Sequence, residues 1–136
     1  MTKTKRKIFI IEDDDFLLDM YSTKFNAAPE FEVEIAKSGE EAMERLRGGY
    51  APEVVMFDIV MPNLDGFDML AKIKEEKLVP EATFIVISNL GQKEDIDRMM
   101  KLGADDYLIK AHFTPTEIMN KVNDLISRKK IKVKEE

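Results

Sequence analysis

The stretch that most constrains the fold runs from Glu53 to Gly66 and reads EVVMFDIVMPNLDG. Its apolar run, Val54 to Phe57, predicts a short strand buried on both faces of a parallel sheet. The run ends at Asp58, and the proline, asparagine and glycine that follow favour a turn. A carboxylate in this position lies where open α/β sheets place their ligand sites. Asp58 is therefore a candidate functional residue, with a helix-capping aspartate as the simpler alternative.

Composition indicates an ordinary globular chain and excludes several kinds of site. The 136 residues are 44% hydrophobic and 35% charged, which suits one domain with a single core. No apolar run is long enough to span a membrane, and Ile8 to Ile11 is too short for a signal peptide. The lack of cysteine excludes disulfides and thiolate chemistry, and the single histidine, His112, excludes a multi-histidine metal site. We expect a cytoplasmic protein without membrane association. Because the net charge is −6, we also expect no direct DNA binding.

Strands and helices alternate along the chain, with predicted strands beginning near residues 7, 31, 53, 82 and 105. Helices between consecutive strands imply a parallel sheet covered on both faces, which is the doubly wound α/β class. In the second strand Phe31, Val33 and Ile35 alternate with Glu32, Glu34 and Ala36, which predicts a half-exposed strand near an edge. This favours a flavodoxin-like fold with strand order 2-1-3-4-5 and five helices on both faces. We expect one domain over residues 1–128 and a frayed, charged C-terminal tail over 129–136.

Local patterns predict where helices begin and which side chains enter the core. Ser38 with Glu41 forms a capping-box pattern, and Asp65-Gly66 and Thr114-Pro115 each open a helix. The predicted inner residues of the first helix are Phe16, Leu17, Met20, Tyr21 and Phe25. The methionines expected to pack in the core are Met56, Met61, Met69, Met99 and Met100.

Polar residues follow each of the four inner strands at the point where the strand ends. They are Glu12-Asp13, Asp58, Ser88 and Lys110. Because parallel strands finish at the same edge of a sheet, we expect these side chains to meet in one crevice. The sequence therefore predicts a site made of three carboxylates, a hydroxyl and an ammonium group.

The chemistry of this predicted cluster points to phosphoryl transfer. Three adjacent carboxylates repel one another unless a cation joins them, and without histidine or cysteine the suitable cation is Mg²⁺. A carboxylate can attack phosphorus to form an acyl phosphate, and Asp58 is the best candidate because it stands alone at the centre. Glu12 and Asp13 are then a paired metal clamp, Lys110 neutralises phosphoryl oxygens, and the Ser88 hydroxyl donates to one of them.

With these residues in place, the chain resembles a stand-alone, chemotaxis-regulator-like receiver domain of a two-component response regulator. The motifs are IIEDD, FDIVMPNLDG, IVIS and DYLIK, in that order, and the resemblance covers residues 6 to about 128. It implies that Asp58 is the phosphoacceptor and that Lys110 is the active-site lysine. It also implies that Glu12 and Asp13 hold Mg²⁺ with Asp58 and the backbone carbonyl of Val60.

The resemblance further implies a phosphorylation-dependent signalling switch rather than an enzyme. The phosphoryl donor would be a sensor histidine kinase or a phosphotransfer protein. Ser88 and Tyr107 match the switch pair, and Tyr107 is expected to rotate from an exposed to a buried position. The output partner, unknown from sequence, or a phosphorylation-dependent dimer would use the face of the fourth helix, fifth strand and fifth helix. The residues expected there are Arg98, Lys101, Asp105, Tyr107 and 117–121.

Two residues depart from the family pattern, and two other functions compete with the switch. Ala111 follows Lys110 where the family usually has a cis proline, and Asn89 follows Ser88 where it prefers a small residue. We expect altered dephosphorylation kinetics from these changes. One competing function is an aspartate-nucleophile phosphohydrolase of small phosphate esters, against which Val60 argues because such enzymes carry an acid there. The other is a degenerate receiver that binds partners without phosphorylation, against which the complete set of site residues argues.

Overall fold

The computed structural model describes the backbone of residues 5–135 and the side chains of residues 5–129. The strands are β1 (Arg6–Ile11), β2 (Phe31–Ala36), β3 (Val54–Phe57), β4 (Thr83–Ser88) and β5 (Asp106–Ile109). The helices are α1 (Asp15–Asn26), α2 (Gly39–Arg47), α3 (Gly66–Glu75), α4 (Lys93–Leu102) and α5 (Pro115–Glu135). A short 3₁₀ turn over Lys110–His112 joins β5 to α5. None of the helices in this part of the chain has the length and apolarity that crossing a membrane requires.

The strands form one parallel sheet in the order β2-β1-β3-β4-β5, which confirms the predicted flavodoxin-like topology. The central pairing is uniformly apolar, with Ile11 opposite Phe57 at its last step. At the other side of the sheet, Ser88 of β4 is opposite Ile109 of β5. The strands β1, β3, β4 and β5 therefore finish at one edge of the sheet, and the polar residues at their ends begin the candidate functional site.

Two separate hydrophobic cores lie on the two faces of the sheet. One contains alternate strand residues such as Phe9 and Val55 and packs against α2, α3 and α4. The other contains their neighbours, such as Ile8 and Val54, and packs against α1 and α5. Continuous apolar strands thus bury successive residues on opposite faces, as the period of two requires. The predicted placement of five helices on both faces is confirmed.

Most predicted helix caps are present as hydrogen bonds. The Ser38 hydroxyl accepts from the Glu41 N–H at 3.0 Å, and the Asp65 carboxylate accepts from the Asp68 N–H at 2.9 Å. Thr114 and Glu117 form a reciprocal capping box, in which each backbone N–H donates to the other residue's side chain. These contacts fix where α2, α3 and α5 begin.

Two side-chain predictions were wrong. Phe16 is 76% exposed, because it lies about 200° around the helix from the buried Leu18 and so faces away from the core. Met100 is 42% exposed on the outer face of α4, where only Met99 of the helix is buried. Ile35 is 38% exposed in the edge strand β2, which agrees with the prediction of a half-exposed strand near an edge. The helix α5 continues to Glu135, into the segment that the sequence predicts as a frayed tail; residue 136 and the side chains from residue 130 onward lie outside the described part.

Candidate functional site

The three predicted carboxylates meet at the carboxyl edge of the sheet. Glu12 and Asp58 each extend the strand ladder by one residue, since their N–H groups donate to Ala36 and Ile11 carbonyls at 3.1 Å. Their side chains are consequently held inside the edge, with Glu12 1% and Asp58 6% exposed. Asp13 is exposed beside them. One carboxylate oxygen from each of the three residues lies within 4.8 Å of the others.

Lys110 joins two of these carboxylates from the end of β5. Its ammonium donates to Glu12 Oε1 at 2.6 Å and to Asp58 Oδ2 at 2.8 Å, and the lysine side chain is 10% exposed. Burial alone would lower the pKa of Lys110, but the hydrogen bonds to Asp58 and Glu12 outweigh it and raise that pKa. Lys110 is therefore a permanent cation in the crevice.

Glu12 is held in an environment that disfavours its charge. Burial raises its pKa most, the hydrogen bond from Lys110 lowers it, and the charge of Asp58 raises it again, so that the pKa is about 7. The second oxygen of Glu12 accepts from the Asp14 N–H at 3.2 Å. One ammonium group does not compensate the closely spaced carboxylates, and a divalent cation would relieve the repulsion among them.

The orientation of Asp58 is fixed by the turn that follows β3. Its Oδ1 accepts from the Ile59 N–H at 2.7 Å, while Oδ2 faces Lys110, so each oxygen has a different partner. The Ile59 carbonyl accepts from the Gly66 N–H at 2.8 Å, which closes the turn. A Cβ at Gly66 would lie 2.6 Å from the Asp58 carbonyl oxygen, so glycine is required for this close approach.

The donor set at this edge suits Mg²⁺. Glu12, Asp13 and Asp58 offer only carboxylate oxygens, the hard ligands that Mg²⁺ prefers. The predicted backbone ligand, Val60, lies in the turn after Asp58 with its side chain 59% exposed. The neighbouring Ile59 carbonyl already accepts a hydrogen bond from the Gly66 N–H and is therefore less available to a cation.

Ser88 and Tyr107, the predicted switch pair, both contact the same residue, Leu90. The buried Ser88 hydroxyl accepts from the Leu90 N–H at 3.2 Å, and the Tyr107 hydroxyl donates to the Leu90 carbonyl. Tyr107 is half-buried, and its pKa is raised mainly by burial and by the charge of Asp95, against a lowering contribution from the Ser88 hydroxyl. Tyr107 is thus half-buried and held against the loop that follows β4.

Sequence reasoning missed two features near the site, the contacts of the Leu90 backbone and the bond between Asn89 and Ala111. Leu90 acts through its backbone, which any residue would supply, so no sequence signal marks it. The Asn89 side chain accepts from the Ala111 N–H at 3.2 Å instead of pointing to the carboxylates. The Lys110–Ala111 peptide bond is trans. The two departures from the family pattern therefore contact each other, a relation that residue types alone do not reveal.

The predicted output face is only partly assembled from the expected side chains. The Arg98 guanidinium lies 4.1 Å from the centre of the Phe67 ring, so Arg98 is directed toward α3. Asp105 precedes β5 and accepts from the Phe84 N–H at 2.8 Å, at the sheet edge opposite the carboxylates. Tyr107 lies on β5 and Lys101 lies on α4, as expected for this face.

Comparisons with known proteins agree with the observed fold. The model of the response regulator receiver domain matches residues 8–123. The response regulator SaeR of Staphylococcus aureus is 31% identical over 123 residues, which cover 90% of this chain and 51% of that protein. The chain spans about half the length of the first curated relatives it matches.

Solved structures agree with the same architecture. The receiver domain of the Francisella response regulator 1452 has a TM-score of 0.81 and 29% identity, covering 92% of this chain and 99% of that one. A CheY-like receiver domain protein from Methanospirillum hungatei has a TM-score of 0.85 at 22% identity, covering 95% and 99% of the two chains, which supports the fold.

Proposed function

The chain belongs to the response regulator receiver domain family, and from this membership we propose that it is a phosphorylation-dependent switch whose phosphoacceptor is Asp58. The observation that carries the proposal is the ammonium of Lys110, which bridges Asp58 and Glu12 at 2.8 and 2.6 Å beside Asp13. This arrangement combines a fixed carboxylate nucleophile, a cation for phosphoryl oxygens and a cluster of hard metal ligands.

In the proposed reaction, an oxygen of the Asp58 carboxylate attacks the phosphorus of a phosphohistidine on a sensor kinase or phosphotransfer protein. The new P–O bond forms as the P–N bond breaks, and the imidazole nitrogen leaves with the electron pair and takes a proton from solvent. Lys110, already within hydrogen-bond distance of Asp58, is positioned to neutralise the negative charge on the transferred group. The hydrogen bond from the Ile59 N–H holds the carboxylate during the attack.

Mg²⁺ is the cation we propose for this site, held by Glu12, Asp13, Asp58 and the Val60 carbonyl. When bound, it supplies charge neutralisation for the carboxylates and for the oxygens of the phosphoryl group. Glu12 would give up its hydrogen bond to Lys110 in order to face the metal, which leaves the ammonium free for the phosphoryl group.

The switch that follows would pass through Ser88, Leu90 and Tyr107. A phosphoryl group that attracts the Ser88 hydroxyl competes with the Leu90 N–H, and the loop after β4 shifts as a result. Because Tyr107 is bonded to the Leu90 carbonyl, its position depends on that same loop. We propose that the face of α4, β5 and α5 reports this shift to an output partner or a second copy of the chain, without direct DNA contact by this domain.

Mass spectrometry of the intact protein after incubation with acetyl phosphate tests the proposal. We expect one added phosphoryl group that requires Mg²⁺ and is lost in Asp58→Asn. Asp65→Asn is the matched control, since Asp65 caps α3 nearby and asparagine is an equally good cap. Labelling that persists in Asp58→Asn would refute the assignment of the phosphoacceptor. Release of phosphate from small esters without an adduct would instead favour the phosphohydrolase.

A further inference from the structure

The side chain of Asn89 bridges two segments that carry proposed site residues. Asn89 follows Ser88 at the end of β4, and Ala111 follows Lys110 at the end of β5. Backbone pairing of the two strands stops with Ser88 opposite Ile109. Beyond that point, Asn89 Oδ1 accepts from the Ala111 N–H at 3.2 Å. A side-chain carbonyl thus continues the connection between the strands where their backbones separate.

The N–H that Asn89 binds has no other partner in its own turn. The first N–H groups of a helical turn have no intrahelical acceptor. In the turn Lys110–His112, the described backbone bond is the one from the Phe113 N–H to the Lys110 carbonyl. The amide oxygen of Asn89 therefore supplies the acceptor from a different element of the fold.

We propose that Asn89 is a positioning residue for Lys110. The peptide unit that carries the Ala111 N–H begins at Lys110, so holding this N–H limits rotation of the backbone from which the lysine side chain extends. That side chain must place its ammonium 2.6 Å from Glu12 and 2.8 Å from Asp58. The inference rests on the proposed function, in which Lys110 neutralises the phosphoryl group on Asp58.

The same contact links Lys110 to the switch loop. Ser88 and Tyr107 hold the N–H and the carbonyl of Leu90, and Asn89 lies between Ser88 and Leu90. A shift of this loop therefore changes the hydrogen bond between the Asn89 side chain and the Ala111 N–H. Only a residue other than proline provides this N–H, so Asn89 and Ala111 act as a complementary pair.

The first test measures Lys110 directly, in buffer freed of divalent cations. NMR follows hydrogen exchange of the Lys110 ammonium protons in the wild type, Asn89→Ala and Asn89→Asp. We expect exchange about threefold to tenfold faster in Asn89→Ala, the effect of losing one hydrogen bond. Asn89→Asp keeps the shape and the acceptor oxygen, and we expect it to restore slow exchange. Unchanged exchange in Asn89→Ala would overturn the proposal.

A double-mutant cycle with Ala111→Pro separates positioning from a general effect on the loop. Proline removes the N–H, so adding Asn89→Ala to Ala111→Pro is expected to change the exchange rate by less than about twofold. An equal effect of Asn89→Ala in both backgrounds would overturn the pairing. Asn89 and Ala111 are both exposed, which favours intact folding of the variants. If Ala111→Pro unfolds the chain, the exchange rates of Asn89→Ala and Asn89→Asp alone decide whether Asn89 positions Lys110.

Phosphorylation by acetyl phosphate with Mg²⁺ provides the functional readout. We expect the rate of adduct formation to fall about threefold to tenfold in Asn89→Ala and to recover in Asn89→Asp. A wild type that gains no phosphoryl group would contradict the proposed function, whereas the exchange of the Lys110 ammonium still tests the positioning role. Altered exchange without any change in the phosphorylation rate would show that Lys110 placement is not limiting and would overturn the proposed consequence.

Discussion

Replacing Glu12 with glutamine is expected to stabilise the fold above neutral pH. Glu12 is 1% exposed, and its pKa is raised from 4.5 to about 7, with burial as the largest cause. A carboxyl whose pKa is higher in the folded than in the unfolded chain destabilises the fold when it is ionised. This shift corresponds to about 3 kcal/mol of unfolding free energy. The penalty is absent below pH 4.5, grows as the pH rises to about 7, and is complete above it.

The glutamine variant escapes this penalty but loses one acceptor. Glutamine has the shape of the protonated acid, whereas its amide nitrogen cannot accept a bond from Lys110 or from the Asp14 N–H. Losing one of these bonds costs about 1 kcal/mol. We therefore expect Glu12→Gln to be about 2 kcal/mol more stable than the wild type at pH 8 and about 1 kcal/mol less stable at pH 4.5. Urea denaturation followed by circular dichroism, in buffer with a chelator, measures both values.

A matched variant and added metal complete the experiment. Glu44→Gln changes the net charge equally at an exposed position of α2, and it is expected to leave stability unchanged at both pH values. Adding Mg²⁺ at pH 8 is expected to stabilise the wild type more than Glu12→Gln, because the variant lacks one carboxylate ligand. A variant that gains no stability at pH 8, or that gains the same amount at both pH values, would refute the reasoning.

Two further substitutions test the backbone around the site and the end of α3. Gly66→Ala places a Cβ 2.6 Å from the Asp58 carbonyl oxygen and 2.7 Å from the Ile59 Cα. We therefore expect the free energy of unfolding, measured by urea denaturation, to fall by about 1–3 kcal/mol, and phosphorylation to be slower. An unfolding free energy within about 0.5 kcal/mol of the wild type would contradict this clash. Lys77 follows α3 and has a φ of 56°, a left-handed backbone conformation that strains a residue with a side chain. We expect Lys77→Gly to relieve this strain and to raise the unfolding free energy by about 0.5–1 kcal/mol. A measured loss of stability would contradict the presence of this strain.

The location of the site could be predicted from sequence because topology does most of the assembly. The strands β1, β3, β4 and β5 each contain a recognisable apolar run, and the residue after each run is polar: Glu12, Asp58, Ser88 and Lys110. Once the strands are parallel, their ends share one edge whatever the details of packing. The convergence of Glu12, Asp58 and Lys110 therefore follows from the strand order, and the structure brings those three side chains into direct contact.

Contacts that depend on local geometry could not be predicted in the same way. Apolar periodicity identified α1 but assigned Phe16 to its inner face, although Leu18, about 200° away around the helix, is the residue of the first turn that packs in the core. The bond from Ala111 to Asn89 depends on a backbone N–H, and the role of Leu90 on its backbone alone. Residue types carry no information about such groups, because every residue other than proline has them.

The proposed requirement for a metal rests on the charges that the fold places at this edge. Lys110 is one cation among the carboxylates of Glu12, Asp13 and Asp58, and its bonds to two of them leave the cluster with excess negative charge when all are ionised. Burial, with the charge of Asp58 added to it, raises the pKa of Glu12 and lowers stability above neutral pH, and the excess charge would also repel an approaching phosphoryl group. A divalent cation removes both effects at once. The same buried charge that weakens the fold therefore makes the proposed reaction of Asp58 conditional on metal binding.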